Sequence, residues 1–385
     1  MIPASLFALL AFAPPQVQVS LSGKDQVVIP AERMGNYLRV TATVNGKPMH
    51  LIVDTGAGLN VLTWDAAKAA GIEGGIDTQA GGAGANKTPA KIVTVKEFQV
   101  GDAVVKGEAA VVLTLPEVLH CDGLVGYSFL KHFATTFDYD ANTLTVRKSG
   151  SYKPAKGEVS GDMKVRANHP TVQGRIAGEQ GWMVIDTGNN GTTNVYKWLV
   201  TKENLVKNWP TSSERVVGKG VGGEVKGYVA ISPGFDVSGV SMPKGQITLD
   251  ASGVEAFADP EILANVGAEH LRRLRMTLDY EAGKAFFGKS KAFDSPLVVD
   301  RSGLRIDSVD GKETVVGVVA DAPGGKAGVK PGDVVLEING KKASEVEPLV
   351  FTLDLRQAAG SKVTVKVDRG GQVMDFTFRL EDMVK

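Results

Sequence analysis

The sequence contains a single cysteine among its 385 residues, Cys121. One thiol cannot form an internal disulfide, and it cannot supply the set of thiolates that cysteine-based zinc sites use. As a nucleophile it would need a base close by, and its neighbour His120 would point to the opposite face of a strand. We therefore interpret Cys121 as a packed thiol, which carries no information about the compartment.

The chain also lacks a net charge, because 43 Lys and Arg residues are balanced by 43 Asp and Glu residues. Without an excess of either sign there is no long-range field to attract nucleic acid or an anionic membrane surface. Beyond the first residues, no apolar run approaches the roughly 18 residues of a spanning helix. We therefore expect neither nucleic acid as a partner nor a membrane-spanning segment.

Several catalytic signatures are missing as well. There is no H-E-x-x-H motif and no Gly-x-Ser-x-Gly motif, so zinc and serine hydrolase chemistry have no support in the sequence. Residues 81–88 come close to a phosphate-binding P-loop, but Asn86 stands where that motif requires glycine, and Pro89 and a strand pattern follow instead of a helix. No metal and no other cofactor is therefore expected.

The first 22 residues are interpreted as a leader. Their apolar run resembles the hydrophobic region of a signal peptide, and Ala11-Phe12-Ala13 resembles a small-x-small cleavage site. No Lys or Arg precedes the run, and Pro14 follows the possible cleavage site directly. The pattern predicts export, to a periplasm or to the outside. The alternatives are a disordered or weakly anchoring leader and a cytoplasmic location.

Glycine is abundant, with 46 copies, which favours turns and short strands over long helices. Within this background one pattern occurs twice: Leu51 to Ala57 reads LIVDTGA, and Met183 to Asn189 reads MVIDTGN. Further on, Phe137 to Asn142 matches Leu278 to Gly283. Because the match occurs at both ends of a unit, we expect two copies of one β-rich lobe.

These units are predicted to span residues 23–150 and 151–292. Each copy of the Asp-Thr-Gly motif follows a hairpin pattern, with an Asn45-Gly46 turn in the first and a turn at Gly178 to Gly181 in the second. Helices are expected at three places only: Trp64 to Ala70, Thr193 to Lys207, and Ser344 to Ala359, the last ended by a glycine at 360.

The repeated Asp-Thr-Gly motif points to chemistry because each copy directly follows three apolar residues. A buried strand then delivers Asp54 and Asp186 to turns at the strand ends, and burying a lone carboxylate is costly. Two carboxyls that meet on a pseudo-two-fold axis relieve that cost by sharing one proton, and they can hold a water between them. The ionised one takes a proton from the water while the protonated one polarises a carbonyl.

Residues 25–290 resemble aspartic proteases, as two retropepsin-like units fused in one chain in the manner of the pepsin family. The resemblance implies that Asp54 and Asp186 are the catalytic pair. It also implies a hydrophobic-hydrophobic-Gly element behind each aspartate, at residues 124–126 and 265–267. Four neighbouring positions take supporting roles in the family: Thr55, Gly56, Thr187 and Gly188.

The resemblance further implies two glycine-rich flaps that close over the substrate, at Gly81 to Lys87 and at Val217 to Gly223. The flap glycines are Gly81, Gly82, Gly84, Gly220, Gly222 and Gly223. Two positions depart from the family pattern. Asn189 stands where Ala, Ser or Thr is usual, and Asn265 replaces an apolar residue. Both lie in the second lobe, so a degenerate second half with weak or lost catalysis stays open.

The tail, residues 300–385, resembles a PDZ domain. It carries the run from Ala327 to Asp333, of the form Ala-Gly-x-x-x-Gly-Asp, and ends a strand pattern with Asn339-Gly340. Such a domain binds a peptide carboxylate at backbone amides in front of a strand, and the strand edge extends the peptide. The carboxylate loop is expected at Gly303, Leu304, Arg305 and Ile306.

The sequence therefore predicts a mainly β protein, with two pseudo-symmetric acid-protease lobes of β-barrel type followed by a small α+β PDZ-like domain. The expected function is that of an aspartic endopeptidase. Its expected partners are a peptide or protein substrate and a peptide ligand of the PDZ-like domain. The alternative is a catalytically weak or inactive scaffold protein in which both parts only bind.

Overall fold

The computed structural model describes residues 17–253 and 259–384. Most of the predicted leader lies outside these residues. Gln18–Ser20 pairs with a strand of the first lobe and Leu21 is buried in its core, and the leader boundary at residue 22 stays a prediction. None of the helices in the described residues is both long and apolar enough to span a membrane.

Lobe 1 is built mainly from short strands. They are β1 Gln18–Ser20, β2 Gln26–Pro30, β3 Glu32–Met34, β4 Tyr37–Val44, β5 Lys47–Val53, β6 Asn60–Leu62, β7 Ile76–Ala80, β8 Thr88–Val100, β9 Ala103–Leu113, β10 Gly123–Val125, β11 Phe133–Asp138 and β12 Thr143–Lys148. The helices are α1 Trp64–Ala69 and α2 Tyr127–Leu130, and a 3-10 turn spans Glu117–Leu119.

Lobe 2 repeats this plan. Its strands are β13 Val159–Arg166, β14 His169–Ile176, β15 Glu179–Asp186, β16 Asn194–Val195, β17 Arg215–Gly220, β18 Gly223–Ser232, β19 Phe235–Val237, β20 Val240–Met242, β21 Gly245–Asp250, β22 Ile262–Gly267, β23 Leu274–Asp279 and β24 Lys284–Lys289. Its helices are α3 Lys197–Lys202, α4 Leu205–Asn208 and α5 Ala268–Leu271.

The C-terminal domain forms a separate sheet in the order β25-β26-β27-β29-β30, with β28 paired to β27. Its strands are β25 Leu304–Val309, β26 Lys312–Val318, β27 Val334–Ile338, β28 Lys341–Lys342, β29 Lys362–Arg369 and β30 Gln372–Arg379. Helices α6 Pro323–Lys326 and α7 Pro348–Phe351 and the 3-10 turns Ala343–Glu345 and Thr352–Arg356 complete it.

The predicted mainly β fold is confirmed, and so are the two hairpins that lead to the Asp-Thr-Gly motifs. The turn between β4 and β5 has positive φ at Asn45 and Gly46, and the turn between β14 and β15 has positive φ at Ala177 and Gly178. Two successive left-handed residues define the tight hairpin turn whose twist matches the flanking strands. The second turn therefore begins before the predicted Gly178.

The long helix predicted from Thr193 to Lys207 is wrong. Residues 194–195 form strand β16, and the helical part is divided into α3 and α4 by Asn204, which adopts left-handed φ. The segment from Ser344 to Ala359 is likewise broken into short turns. The glycine at 360 does take the positive φ expected after a helical segment.

The two lobes are joined by a shared sheet with the strand order β13-β24-β23-β11-β12-β2. At its centre β11 pairs antiparallel with β23, and the hydroxyls of Thr136 and Thr277 lie 2.8 Å apart across this pairing. Buried side chains of both lobes form one continuous core, with Phe137 and Phe287 fully buried in it. The lobes are thus fixed relative to each other beneath the ends of β5 and β15.

Candidate active site

Each aspartate stands at the end of a buried strand that is flanked by a parallel neighbour. Strand β5 runs parallel to β10, and the backbone N–H of Asp54 donates to Val125 O at 3.0 Å. In lobe 2, β15 runs parallel to β22, and Asp186 pairs with Gly267. The hydrophobic-hydrophobic-Gly elements predicted from the sequence therefore lie directly beside the strands that carry the aspartates.

The two Asp-Thr-Gly turns are interlocked through their threonines. The backbone N–H of Thr55 donates to Thr187 Oγ1, and the N–H of Thr187 donates to Thr55 Oγ1, both at 3.0 Å. Each hydroxyl donates in turn to the opposite lobe, Thr55 Oγ1 to Ile185 O at 2.6 Å and Thr187 Oγ1 to Val53 O at 2.8 Å. Both side chains are buried, so these bonds fix the two turns against each other.

The motif glycines are required because each packs against the aspartate of the other lobe. A Cβ atom at Gly56 would lie 2.3 Å from Asp186 Oδ1, and one at Gly188 would lie 2.1 Å from Asp54 Oδ1. Both distances are far below van der Waals contact. Only glycine at both positions lets the carboxyl groups reach each other across the interface.

The two carboxyl groups are hydrogen-bonded to each other and held by backbone amides. Gly56 N–H donates to Asp54 Oδ1 at 2.7 Å, and Gly188 and Asn189 N–H donate to Asp186 Oδ1 at 2.9 and 3.0 Å. Burial, followed by the neighbouring carboxyl of Asp186, raises the pKa of Asp54 to about 8. Burial and the neighbouring carboxyl therefore both favour the protonated form of Asp54.

The departures at Asn189 and Asn265 form a hydrogen-bonded chain to Asp186. Asn265 Nδ2 donates to Asp186 Oδ2 at 2.7 Å, and Asn189 Nδ2 donates to Asn265 Oδ1 at 2.9 Å. An amide donor of this kind favours the ionised carboxylate. At the matching position Ala57 supplies Asp54 with a backbone N–H only. In the sequence these asparagines were departures from the family pattern, whereas in the structure both donate hydrogen bonds to Asp186.

The tips of the two predicted flaps meet each other. Residues 81–87 connect β7 and β8, Val221 and Gly222 connect β17 and β18, and two backbone bonds of 2.9 Å join the tips: Gly84 N–H to Val221 O and Asn86 N–H to Gly222 O. A Cβ at Gly84 would lie only 2.0 Å from the carbonyl carbon of Gly222. Glycine at the tips thus permits the close backbone approach.

The other predicted flap glycines differ in how tightly they are packed. A Cβ at Gly82 would lie 2.7 Å from Val221 Cβ, and one at Gly220 would lie 2.9 Å from Ala83 Cβ. Gly223 has a φ of 111°, which only glycine adopts easily. A Cβ at Gly81 would meet nothing within 4 Å.

An apolar cluster flanks the aspartates in each lobe, and each flap reaches the cluster of the opposite lobe. Val221 of the second flap packs on the lobe 1 cluster that contains Tyr37 and Leu124. Ala83 of the first flap packs on the lobe 2 cluster that contains Tyr196. The space between flaps and aspartates is therefore bordered by apolar side chains on both sides.

Buried tyrosines surround the pair, and sequence reasoning did not single them out. Burial, together with the charges of Asp54 and Asp186, raises the pKa of the Tyr37 and Tyr280 phenols. Tyr139 and Tyr280 occupy equivalent positions in the two repeats, and this repetition was the sequence signal that could have identified them.

Within residues 17–253 and 259–384, no cluster of His, Cys, Asp or Glu is arranged to hold a metal ion.

The predicted carboxylate loop of the C-terminal domain is engaged internally. Gly303 N–H donates to Asp300 Oδ2 at 3.0 Å, and Leu304 N–H donates to Ser302 Oγ at 3.0 Å. Ile306 packs on the core of the domain, and Arg305 pairs with Glu224 of the second flap. A peptide carboxylate at this loop would have to displace Asp300, and its binding there stays a prediction.

Two family models match the chain. Residues 40–129 match an aspartyl protease family, and residues 302–380 match a PDZ domain. The first match contains Asp54, the first flap and the Leu124-Val125-Gly126 element. These matches confirm the resemblance of the sequence to an aspartyl protease with a C-terminal PDZ domain.

Curated relatives match over shorter stretches. The carboxy-terminal processing protease CtpB of Bacillus subtilis is 30% identical over 104 residues, which are 27% of this chain and 21% of that protein. A probable CtpA-like serine protease of Staphylococcus saprophyticus is 30% identical over 95 residues, 24% of this chain and 19% of that protein. The chain thus spans about a fifth of the length of these relatives. Among solved structures, the aspartic proteinase from Irpex lacteus aligns with a TM-score of 0.45 at 10% identity, over 70% of this chain and 99% of that one.

Replacement of Asp54 by Asn should stabilise the protein increasingly as the pH rises. The pKa of Asp54 is about 8 in the folded chain against an ordinary value of 3.8, so between these values the folded state holds a proton that the unfolded state releases. Folding stability contributed by this group is therefore present at low pH and lost as the pH rises toward 8. Melting temperatures of Asp54→Asn and the unaltered chain, measured from pH 4 to pH 8, should diverge by several degrees.

The matched control is Asp77→Asn, because the Asp77 side chain is 89% exposed. A difference between Asp54→Asn and the unaltered chain that is constant or shrinks with pH contradicts the assignment of the proton to Asp54.

Replacement of Asn265 by Leu should move the acid limb of the pH–rate profile upward in the peptide hydrolysis that we propose for this site. The substitution removes the amide that favours the ionised form of the pair, and a hydrogen bond to a charged group contributes about 1.5–3 kcal/mol. Since 1.36 kcal/mol corresponds to one pKa unit, the shift should be about one to two pH units. Asn189→Ala keeps the Asn265 amide that donates to Asp186 and removes only the hydrogen bond from Asn189 to Asn265. The acid limb should therefore shift in the same direction by a smaller amount. An unmoved acid limb in Asn265→Leu, at retained rate, contradicts this role.

Proposed function

We propose that the two lobes form an aspartic endopeptidase, in which Asp54 and Asp186 activate one water molecule for attack on a peptide bond. The observation that carries this proposal is the contact between the two carboxyl groups, each at an Asp-Thr-Gly turn and interlocked with the other turn through Thr55 and Thr187. A pair of carboxyls in contact titrates as a unit that holds a single proton over a wide pH range.

The surroundings of the two aspartates support different roles. Asp186 accepts three hydrogen bonds, from Gly188, Asn189 and Asn265, which favour its ionised form as the base that takes a proton from the water. Asp54 has a raised pKa and keeps the proton that polarises the substrate carbonyl. The apparent titration steps belong to the pair, so these roles describe the dominant protonation state.

The borders of the cleft support a peptide in extended conformation as substrate. The two hairpins that meet at their tips are proposed to cover the aspartates, and β-hairpins offer backbone donors and acceptors to an added strand. The clusters around Tyr37 and Tyr196 border the site on its two sides. We therefore propose that apolar side chains flank the cleaved bond.

The PDZ domain is proposed to bind peptides and so to recruit substrate or partner proteins to the lobes. Export, predicted from the leader, is part of the same proposal. The curated relatives are named as processing proteases, and one of them as a serine protease. The aspartic type proposed for this chain rests on its own carboxyl pair.

Asp54→Asn and Asp186→Asn should each abolish cleavage of an unstructured peptide library between pH 3 and pH 8, by about a thousandfold or more. Either residue alone lacks the acid or the base that the other supplies. Mass spectrometry of the products measures the loss. The exposed Asp162→Asn, whose side chain is 75% accessible, serves as the matched control and should cleave normally. Cleavage that survives in either dyad variant overturns the mechanism. An inert natural chain that still binds peptides favours the scaffold alternative.

A further inference from the structure

Strand β25 of the PDZ domain lies along the second flap and carries charges that complement it. Lys219 of the flap pairs with Asp307, and Glu224 of the flap pairs with Arg305. Lys219 and Glu224 lie directly opposite each other in the hairpin of β17 and β18, next to the Gly220–Gly223 pair at the tip. The contact therefore acts on the hairpin close to its tip.

The geometry of β25 allows both ion pairs to form together. Arg305 and Asp307 are two residues apart on a strand, so their side chains leave the same side. Strand β25 is also the edge strand of its sheet, with β26 as its neighbour on one side. A single exposed ion pair contributes little to stability, but here two pairs share one surface and the Asp307 side chain is only 10% exposed.

At the base of the flap the charge of Asp300 acts on Arg215 across the same boundary. Burial lowers the pKa of Arg215, and the carboxylate of Asp300 acts in the opposite direction. Residues 305 and 307 thus face the flap near its tip, each with a charge opposite to that of its partner on the flap.

The PDZ domain is itself anchored on lobe 1. Glu347 pairs with Arg39 at 3.2 Å, and its other oxygen lies 3.0 Å from His120 Nδ1. Gly311 N–H donates to Glu117 Oε1 at 2.8 Å.

Apolar contacts strengthen this anchor. Leu349 and Val350 of helix α7 pack on the lobe 1 cluster that also contains Tyr37. The domain consequently ties the flap of lobe 2 to the body of lobe 1, across the cleft that the flap covers.

The first flap has no equivalent restraint. Among the described residues, Lys87, the one charged side chain at 81–87, forms no ion pair with residues 300–384, and the tip is held by its backbone bonds to Val221 and Gly222. The two flaps, alike in sequence, are therefore held differently.

We propose that Arg305 and Asp307 are positioning residues that clamp the second flap in its closed position, so that the PDZ domain is a working part of the cleft as well as a peptide-binding module. This inference rests on the proposed function, in that residues 215–227 act as a flap over a substrate cleft. The cleft then opens either by movement of the first flap or by release of the second flap from β25.

Hydrogen–deuterium exchange of the full-length protein without substrate tests the clamp, because this measurement does not require catalysis. Exchanging the charges on the PDZ side, Arg305→Asp with Asp307→Arg, sets like charges against Glu224 and Lys219 and leaves the net charge unchanged. Amide exchange in residues 215–227 should rise by roughly tenfold, since two attractive pairs become repulsive. Adding Lys219→Glu with Glu224→Lys restores opposite charges and should return exchange to its original rate.

Exchange in strand β29 reports whether the PDZ domain remains folded in these variants. If the swapped charges disturb β29, the neutral variant Arg305→Gln with Asp307→Asn takes their place in the test. Its amide exchange in residues 215–227 should rise by about threefold. Unchanged amide exchange of residues 215–227 in a variant with an intact β29 overturns the clamp. A rise in this amide exchange that the variant with all four substitutions fails to reverse overturns it as well. Absence of peptidase activity in the unaltered chain, with this exchange pattern retained, would count against the proposed function and leave the clamp standing.

Discussion

Two carboxyl groups lie in contact across the interface between the lobes, and their repulsion is relieved only when one of them holds a proton. This constraint explains much of the surrounding structure. Glycine at 56 and 188 lets the carboxyls approach, and the bonds between Thr55 and Thr187 hold the turns against that repulsion. The shared sheet at β11 and β23 fixes the lobes in the same register. Without the two-fold arrangement, each aspartate would be a buried carboxyl with no partner of its own kind.

Much of this could be predicted from the sequence because the signals are local or repeated. The Asn45-Gly46 turn specifies its hairpin through backbone preference alone. The two copies of Asp-Thr-Gly, each after three apolar residues, predicted that Asp54 and Asp186 end buried strands and face each other. The helix predicted from Thr193 to Lys207 failed because its apolar spacing suited a helix, whereas strand pairing in β16 and the left-handed Asn204 divide it.

The remaining features depend on contacts between residues far apart in the chain, for which no local pattern exists. Asn265 looked like the loss of an apolar residue, but its amide reaches Asp186, 79 positions away. Likewise, Arg305 and Asp307 are ordinary charges on a strand until the flap lies beside them. Such ion pairs have no periodicity or spacing that a sequence could reveal. The shared partner of the two asparagines and the different restraint of the two flaps therefore emerged only from the folded chain, although the asparagines themselves were visible in the sequence as departures in lobe 2.

The central claim, that one proton is shared by this pair and resides on Asp54, is tested most directly by a carbon-13 NMR titration of carboxyl-labelled aspartates. The Asp54 signal is assigned by its loss in Asp54→Asn. The account predicts that Asp54 titrates near pH 8 in the unaltered chain, and at a clearly lower pH in Asp186→Asn, where the neighbouring negative charge is gone. Titration of Asp54 near pH 4 in the unaltered chain, or a titration unaffected by Asp186→Asn, would contradict it.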